Sequence, residues 1–172
     1  SDECLVTGIY TCLPQQHNRP VYEADDMSKE QERASCRHGF PGGGGKTGGV
    51  FTWFCKHGVC YACYILPKAE GRDAAFSFLL KYFKKAPSVV IYDFACALQE
   101  YCLNREPAFF KDTRFVVTGF HWPGHPKCAR SFNMKLYPDL VALNGEIAEQ
   151  CNAALQKVKS NISRMHQIGF ML

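Results

Sequence analysis

No apolar run in this chain approaches the roughly 20 residues that a membrane-spanning helix needs, so no membrane partner is expected. The start, Ser1-Asp2-Glu3-Cys4, has neither an initiator Met nor a signal-peptide pattern, and the sequence reads as a piece excised from a longer protein. There is no internal repeat. A large excess of charge of one sign is also lacking: the net value is only +4. Its basic residues are grouped, as Lys81, Lys84 and Lys85, as Lys127, Arg130 and Lys135, and as Lys157, Lys159 and Arg164. Such groups suit a phosphate-rich partner without requiring one, and solvated faces are the simpler account. The glycine-rich stretch 39–49 reads as a loop, with too few side chains to pack. It is not a phosphate-binding P-loop: counting back from Lys46, the first required glycine falls on Phe40, and a strand rather than a helix follows. No nucleophile elbow or helix-start cysteine singles out a Cys–His protease pair.

What is present suits one globular domain over residues 1–172: 47% hydrophobic and 13% aromatic residues can fill a core. Residues 1–47 form a polar, loop-rich part and 48–172 the core. The 10 cysteines are interleaved with histidines, as in Cys36-x-His38, Cys55-x-His57-x-x-Cys60 and His121-x-x-x-His125-x-x-Cys128. That pattern favours reduced thiols in an intracellular protein, with zinc as a ligand, over a secreted disulfide framework.

Residues 4–13 carry β-branched and aromatic residues up to Pro14 and predict a first strand. Residues 50–67 predict a hairpin of two well-buried strands turning at Lys56-His57-Gly58. Arg72 to Ala86 predicts a helix whose inner face is Ala75, Phe76, Leu79, Leu80 and Phe83. A strand at 88–92 runs into Asp93, followed by a helix from about Phe94 to Leu103 and a Pro-containing connection to Arg114. Phe115 to Thr118 predicts a short strand, and 119–128 a run of turns. Ile147, Cys151, Ala154, Val158, Ile162 and Met165 recur at helical spacing, so a last helix of about twenty residues is expected, capped by Asn144. Aromatics Phe51, Trp53, Tyr61, Tyr64 and Phe76, and thiols Cys12, Cys63, Cys102 and Cys151, suit a core.

Asp93 is the chemically conspicuous residue. A carboxylate is costly to bury unpaired, so it belongs at the open carboxyl end of its strand, where α/β sheets put their ligands. Strand, hairpin, helix, strand, helix, short strand and long helix is the element order of an α/β, RNase-H-like mixed sheet flanked by helices. In such a sheet the first and fourth strands lie side by side and parallel, and the late helix brings an acid beside them. Polynucleotidyl transfer uses that geometry to hold two divalent ions with hard oxygen ligands.

Four blocks in order carry a family resemblance: Cys55-Lys-His57-Gly58; Tyr92-Asp93-Phe94-Ala95-Cys96; Phe120-His121-Trp-Pro-Gly-His125-Pro-Lys-Cys128; and Asn144-Gly145-Glu146-Ile-Ala-Glu149. Over roughly residues 48–166 the chain resembles the Kyakuja-Dileera-Zisupton (KDZ) transposases. The resemblance implies a nuclear DNA transposase core cutting and joining strands with Mg2+ or Mn2+. Asp93 would be the second acid and Glu146 or Glu149 the glutamate. Glu146 lies nearer the edge of the apolar stripe, which favours it, although positions i and i+3 share a side. The first acid is not evident: the first strand has Thr7 where Asp is expected, and Asp2, Asp25 and Asp26 are the alternatives. Without it, the expectation turns to a domesticated or degenerate core, a non-catalytic zinc-stabilised module that binds DNA or protein. Protein partners and self-association are compatible with either.

Zinc takes four N or S ligands in a tetrahedron. Cys96 with His121, His125 and Cys128 makes one candidate set. Cys36, His38, Cys55, His57 and Cys60 make a second, tying the glycine loop to the hairpin.

Overall fold

In a computed structural model, residues 9–11, 49–66 and 71–158 are described. Strands β1 (Ile9–Thr11), β2 (Gly49–Phe54) and β3 (Cys60–Leu66) are followed by helix α1 (Arg72–Tyr82), strand β4 (Val89–Ile91), helices α2 (Ala95–Arg105) and α3 (Pro107–Phe110), strand β5 (Arg114–Val116), and helices α4 (Pro138–Val141) and α5 (Ile147–Leu155). The architecture is mixed α/β, in two small sheets. No helix among the described residues is long and apolar enough to cross a membrane.

The expected hairpin forms. Gly58 takes φ +79 at its tip, a conformation that glycine adopts without a Cβ clash. The turn is closed by the Gly58 amide donating to the Cys55 carbonyl and the Cys55 amide to the Val59 carbonyl, both at 3.0 Å. The hairpin strands are less buried than expected: Trp53, Ala62 and Leu66 are inside, whereas Val50 and Cys60 are exposed and most of the remainder is half-buried. The three-strand sheet runs β1-β3-β2, all antiparallel, with Ile9 and Phe51 both opposite Tyr64. This corrects the expectation that the first strand lies beside the fourth. β3 is the longest strand and carries a partner on each edge, so β1 adds to the hairpin rather than to β4.

β4 and β5 form a separate parallel pair, Val90 opposite Phe115. Two parallel strands need a crossover, and α2 with α3 supplies it. Pro107 opens α3, where its missing N–H leaves no bond unmade, so the connection is partly helical rather than irregular. α1 ends at Tyr82, before the expected Ala86. Phe83 is already extended (φ -105, ψ 128), and Ala86, preceding Pro87, is biased away from helix.

The core lies between α1 and α2. Ala75, Phe76, Leu79 and Leu80 meet Leu98, Tyr101 and Cys102, with Phe110 and Phe115 beneath. Phe78 and Tyr82 are buried as well, because the opposite face of α1 packs on the hairpin, where Trp53 stacks on Phe78 at 5.3 Å. Phe76 and Trp53 thus take the core roles expected of them, while Phe51, Tyr61, Tyr64 and Cys63 are half-buried and Cys12 lies outside the described residues. Burial pushes the Cys102 thiol up to about 12, against the pull of Arg105, so it is an inert packing group.

The regular α-helical part of α5 has nine residues; a 3-10 turn at Gln156–Val158 continues it, and the rest of the expected helix lies outside the described residues. Ile147 and Cys151 face the hairpin, whereas Ala154 and Leu155 are exposed. The Cys151 thiol donates to the Gly58 carbonyl at 3.9 Å and the Thr52 hydroxyl donates to Asn152 Oδ1 at 3.0 Å, which seats the helix across β2 and the turn. Asn144 stands two residues before the cap position, Glu146: its Oδ1 accepts from the Glu146 amide at 3.1 Å, and its Nδ2 donates to Gln150 at 2.9 Å.

Candidate metal centres at the ends of the parallel pair

Strands β4 and β5 run in the same direction, so both release their chains at one end of the pair. On the β4 side, the Tyr92 amide extends the ladder by donating to the Val116 carbonyl at 3.0 Å. The chain then turns at Asp93-Phe94, and α2 begins at Ala95. Asp93 therefore stands at a strand-to-helix corner, its side chain 46% exposed, and Cys96 follows within the first turn of the helix. On the β5 side, Val117 and Thr118 continue inward, fully or nearly buried, before the turns that carry His121, His125 and Cys128.

These segments converge on two groups of donors. In the first, His121 Nδ1 lies 3.1 Å from Asp93 Oδ1, and Nε2 lies 3.8 Å from Glu149 Oε1 on α5. One ligand atom from each of the three residues falls within 4.8 Å of the others. Thr118 orients the imidazole: its hydroxyl lies 3.0 Å from Nδ1 and also accepts from the His121 amide at 3.3 Å. Sequence reasoning passed over Thr118, although a Thr three residues before a His in a turn signals such a side-chain-to-backbone bond. Gly145 permits the close approach of the turn before α5, because a Cβ there would sit 3.1 Å from Met134 Sδ and 3.3 Å from Thr118 Cγ2.

In the second group, His125 Nδ1 lies 3.8 Å from Cys96 Sγ and 3.4 Å from Cys128 Sγ. The His125 ring is stacked parallel to Trp122 and is only 6% exposed. Burial lowers its pKa from 6.5; the Asp93 charge and a hydrogen bond to the Asp93 main chain pull the other way, and His121 adds to the lowering. Neutral imidazole is the form that binds metal.

Residues 37–170 match the model of the Kyakuja-Dileera-Zisupton transposase family. The chain belongs to that family. No curated protein and no solved structure matches it.

Within this KDZ chain, the four residues expected to share one zinc are divided. Cys96, His125 and Cys128 come together, whereas His121 turns to Asp93 and Glu149. Of the two candidate glutamates, Glu149 reaches His121, while Glu146 stands at the start of α5 outside both groups. Asp2, Asp25 and Asp26 lie outside the described residues, as do Cys36 and His38 of the second expected set. Among its described members, Cys55 Sγ is 3.9 Å from His57 Nδ1, but Cys60 donates to the Ala62 carbonyl at 3.3 Å, and the three do not gather as one donor group. No disulfide joins the described cysteines.

Chemically the two groups differ. Two carboxylates and an imidazole form a mixed O, N, O set, better suited to Mn2+ than to Mg2+, which prefers oxygen alone. Two thiols and an imidazole form a soft set, suited to zinc.

Proposed function

We propose that this chain is the RNase-H-like core of a nuclear DNA transposase, in which Asp93 and Glu149 hold a divalent ion, Mn2+ or Mg2+, for strand cleavage and transfer. The observation that carries the reading is the convergence of Asp93, from the end of β4, with Glu149, from a helix more than fifty residues later, on one imidazole. The ion supplies activation of the attacking oxygen and charge neutralisation at the leaving one. Asp93 and Glu149 are exposed, at 46% and 56% of their side chains, so a DNA end can reach them. Lys127, Arg130 and Lys135 lie on the same 119–136 segment as His121 and offer phosphate contacts.

The strand arrangement supports the same reading. Phe51 of β2 meets Tyr92, just past β4, at 6.1 Å. Setting β2 beside β4 would give the order β1-β3-β2-β4-β5, three antiparallel strands extended by two parallel ones. In that arrangement β2, rather than β1, takes the place of the acid-bearing first strand. β2 reads Gly-Val-Phe-Thr-Trp-Phe and has no carboxylate; its Thr52 bonds Asn152, one turn beyond Glu149. This specific observation favours a second reading, a non-catalytic, zinc-stabilised module that binds DNA or protein through the same face.

Metal-dependent nicking of a DNA duplex tests the first reading. Wild-type chain should nick with Mn2+, and Asp93→Asn should abolish it; nicking unchanged in Asp93→Asn would sink the assignment. Stoichiometric zinc in a wild type that never nicks supports the module.

A further inference from the structure

The Cys96, His125 and Cys128 group is over-subscribed as a set of hydrogen bonds. One ring nitrogen has a single lone pair or a single N–H to offer, yet two sulfurs approach Nδ1 from separate elements, at 3.4 and 3.8 Å. A cation in their midst resolves the conflict. Zinc bonds of about 2.3 Å to sulfur and about 2.05 Å to nitrogen, at a tetrahedral angle, place N and S about 3.6 Å apart. The two observed separations straddle that value. The His125 ring is also hydrogen-bonded to the Asp93 main chain. His125 thus touches both donor groups.

We propose that Cys96, His125 and Cys128 bind one zinc ion, with solvent as the fourth ligand, and that this ion positions Asp93. Metal on Nδ1 fixes the His125 tautomer, leaving Nε2–H to donate to the Asp93 carbonyl. A ligating histidine that anchors its other nitrogen in this way orients what it bonds. His125 is then a positioning residue for the carboxylate, and the zinc is the reason that its ring cannot turn. The positioning half rests on the preceding reading of Asp93 as a metal ligand; the zinc half does not.

Metal analysis of the purified chain tests the zinc half. One zinc per chain is expected, with thiolate-to-cobalt charge-transfer absorption after Co2+ replacement. Cys96→Ser and Cys128→Ser should lose the metal, and Cys128→His and Asp93→Asn should keep it. A wild type without zinc, or full zinc in Cys128→Ser, overturns the site. The positioning half is read by Mn2+ titration, following free Mn2+ by electron paramagnetic resonance. Cys128→Ser should bind Mn2+ about 10-fold to 100-fold more weakly than wild type, with recovery in Cys128→His. Should Cys128→Ser fail to fold, chelating zinc from wild type and restoring it must weaken and then recover Mn2+ binding by the same factor. Equal Mn2+ affinity with and without zinc overturns positioning while leaving the zinc site standing. A zinc-loaded wild type that binds no Mn2+ overturns positioning together with the transposase-core reading of Asp93, and metal content alone still decides the zinc site.

Discussion

Substituting Gly58 by alanine perturbs the seat of the helix that carries Glu149, at a position outside both gathered donor groups. Gly58 holds φ +79, where an L side chain is strained by roughly 1–2 kcal/mol. The added Cβ would also stand 3.3 Å from Ile147 Cδ1 and 3.4 Å from Cγ1, tight enough that Ile147 must give by a few tenths of an ångström. Ile147 is only half-buried and can yield, so the backbone should set the cost. The expected loss is therefore about 1–2 kcal/mol, read as a lower urea midpoint at unchanged slope. Two companions separate the causes. Gly58→Asn carries the same Cβ, but asparagine tolerates the left-handed region, so it should lose clearly less. Gly58→Ala in an Ile147→Ala background should lose as much as in wild type. A Gly58→Ala loss within about 0.5 kcal/mol, the range of an ordinary surface change, refutes the reasoning. Equal losses for alanine and asparagine would shift the cause from backbone strain to the contact with Ile147.

Two further outcomes follow from the site. Burial holds the His125 pKa below 6.5, so on acidification the unfolded chain takes up its proton before the folded chain does. Metal-free protein should therefore keep its stability above about pH 6.5, lose it progressively from there down to the lowered folded value, and show no further loss from this group below that; urea midpoints against pH should show a shallower acid limb in His125→Gln. Phe120 is 73% exposed beside His121, its ring 5.0 Å from the imidazole, in position to stack on an unpaired base. Phe120→Ala should weaken single-stranded DNA binding by about 1–3 kcal/mol, measured by fluorescence anisotropy, with the urea midpoint unmoved; unchanged affinity would exclude the ring from the DNA face.

Much of the fold was legible because local rules and packing agreed. The hairpin follows from Gly58 between two β-rich runs, and α1 from the spacing of Ala75, Phe76, Leu79 and Leu80, all of them inside. Strand partnership was not legible, since nothing in Ile9–Thr11 says which edge it joins, and ladder bonds are made by backbone common to every residue. The donor residues themselves were readable as types at compact spacings. Their division was not: His121 and His125 are four apart, which fixes a face in a helix, but they lie in turns and a short 3-10 segment around Trp122–Gly124. There the ring directions are set by Thr118 on one histidine and Trp122 on the other. That Glu149 rather than Glu146 meets His121 follows from where α5 starts: it begins only at Ile147, and Glu146 belongs to the turn held by Asn144.

The parallel pair explains why two chemically different groups are neighbours. β4 delivers Asp93 and then Cys96, three residues on; β5 delivers His121 and then His125, four residues on. Because the strands run the same way, the nearer donors of each pair meet, and so do the farther ones: Asp93 with His121, Cys96 with His125. An antiparallel pair would release its two chains at opposite ends, and neither meeting would occur. Glu149 and Cys128 then complete one group each, the first from a helix seated on the hairpin and the second from the same turns. Each group is thus closed by residues from both strand exits, and a displacement of either exit disturbs both at once. The mixed O, N, O group is in this way tied to the thiol and imidazole group, whose His125 is almost wholly buried.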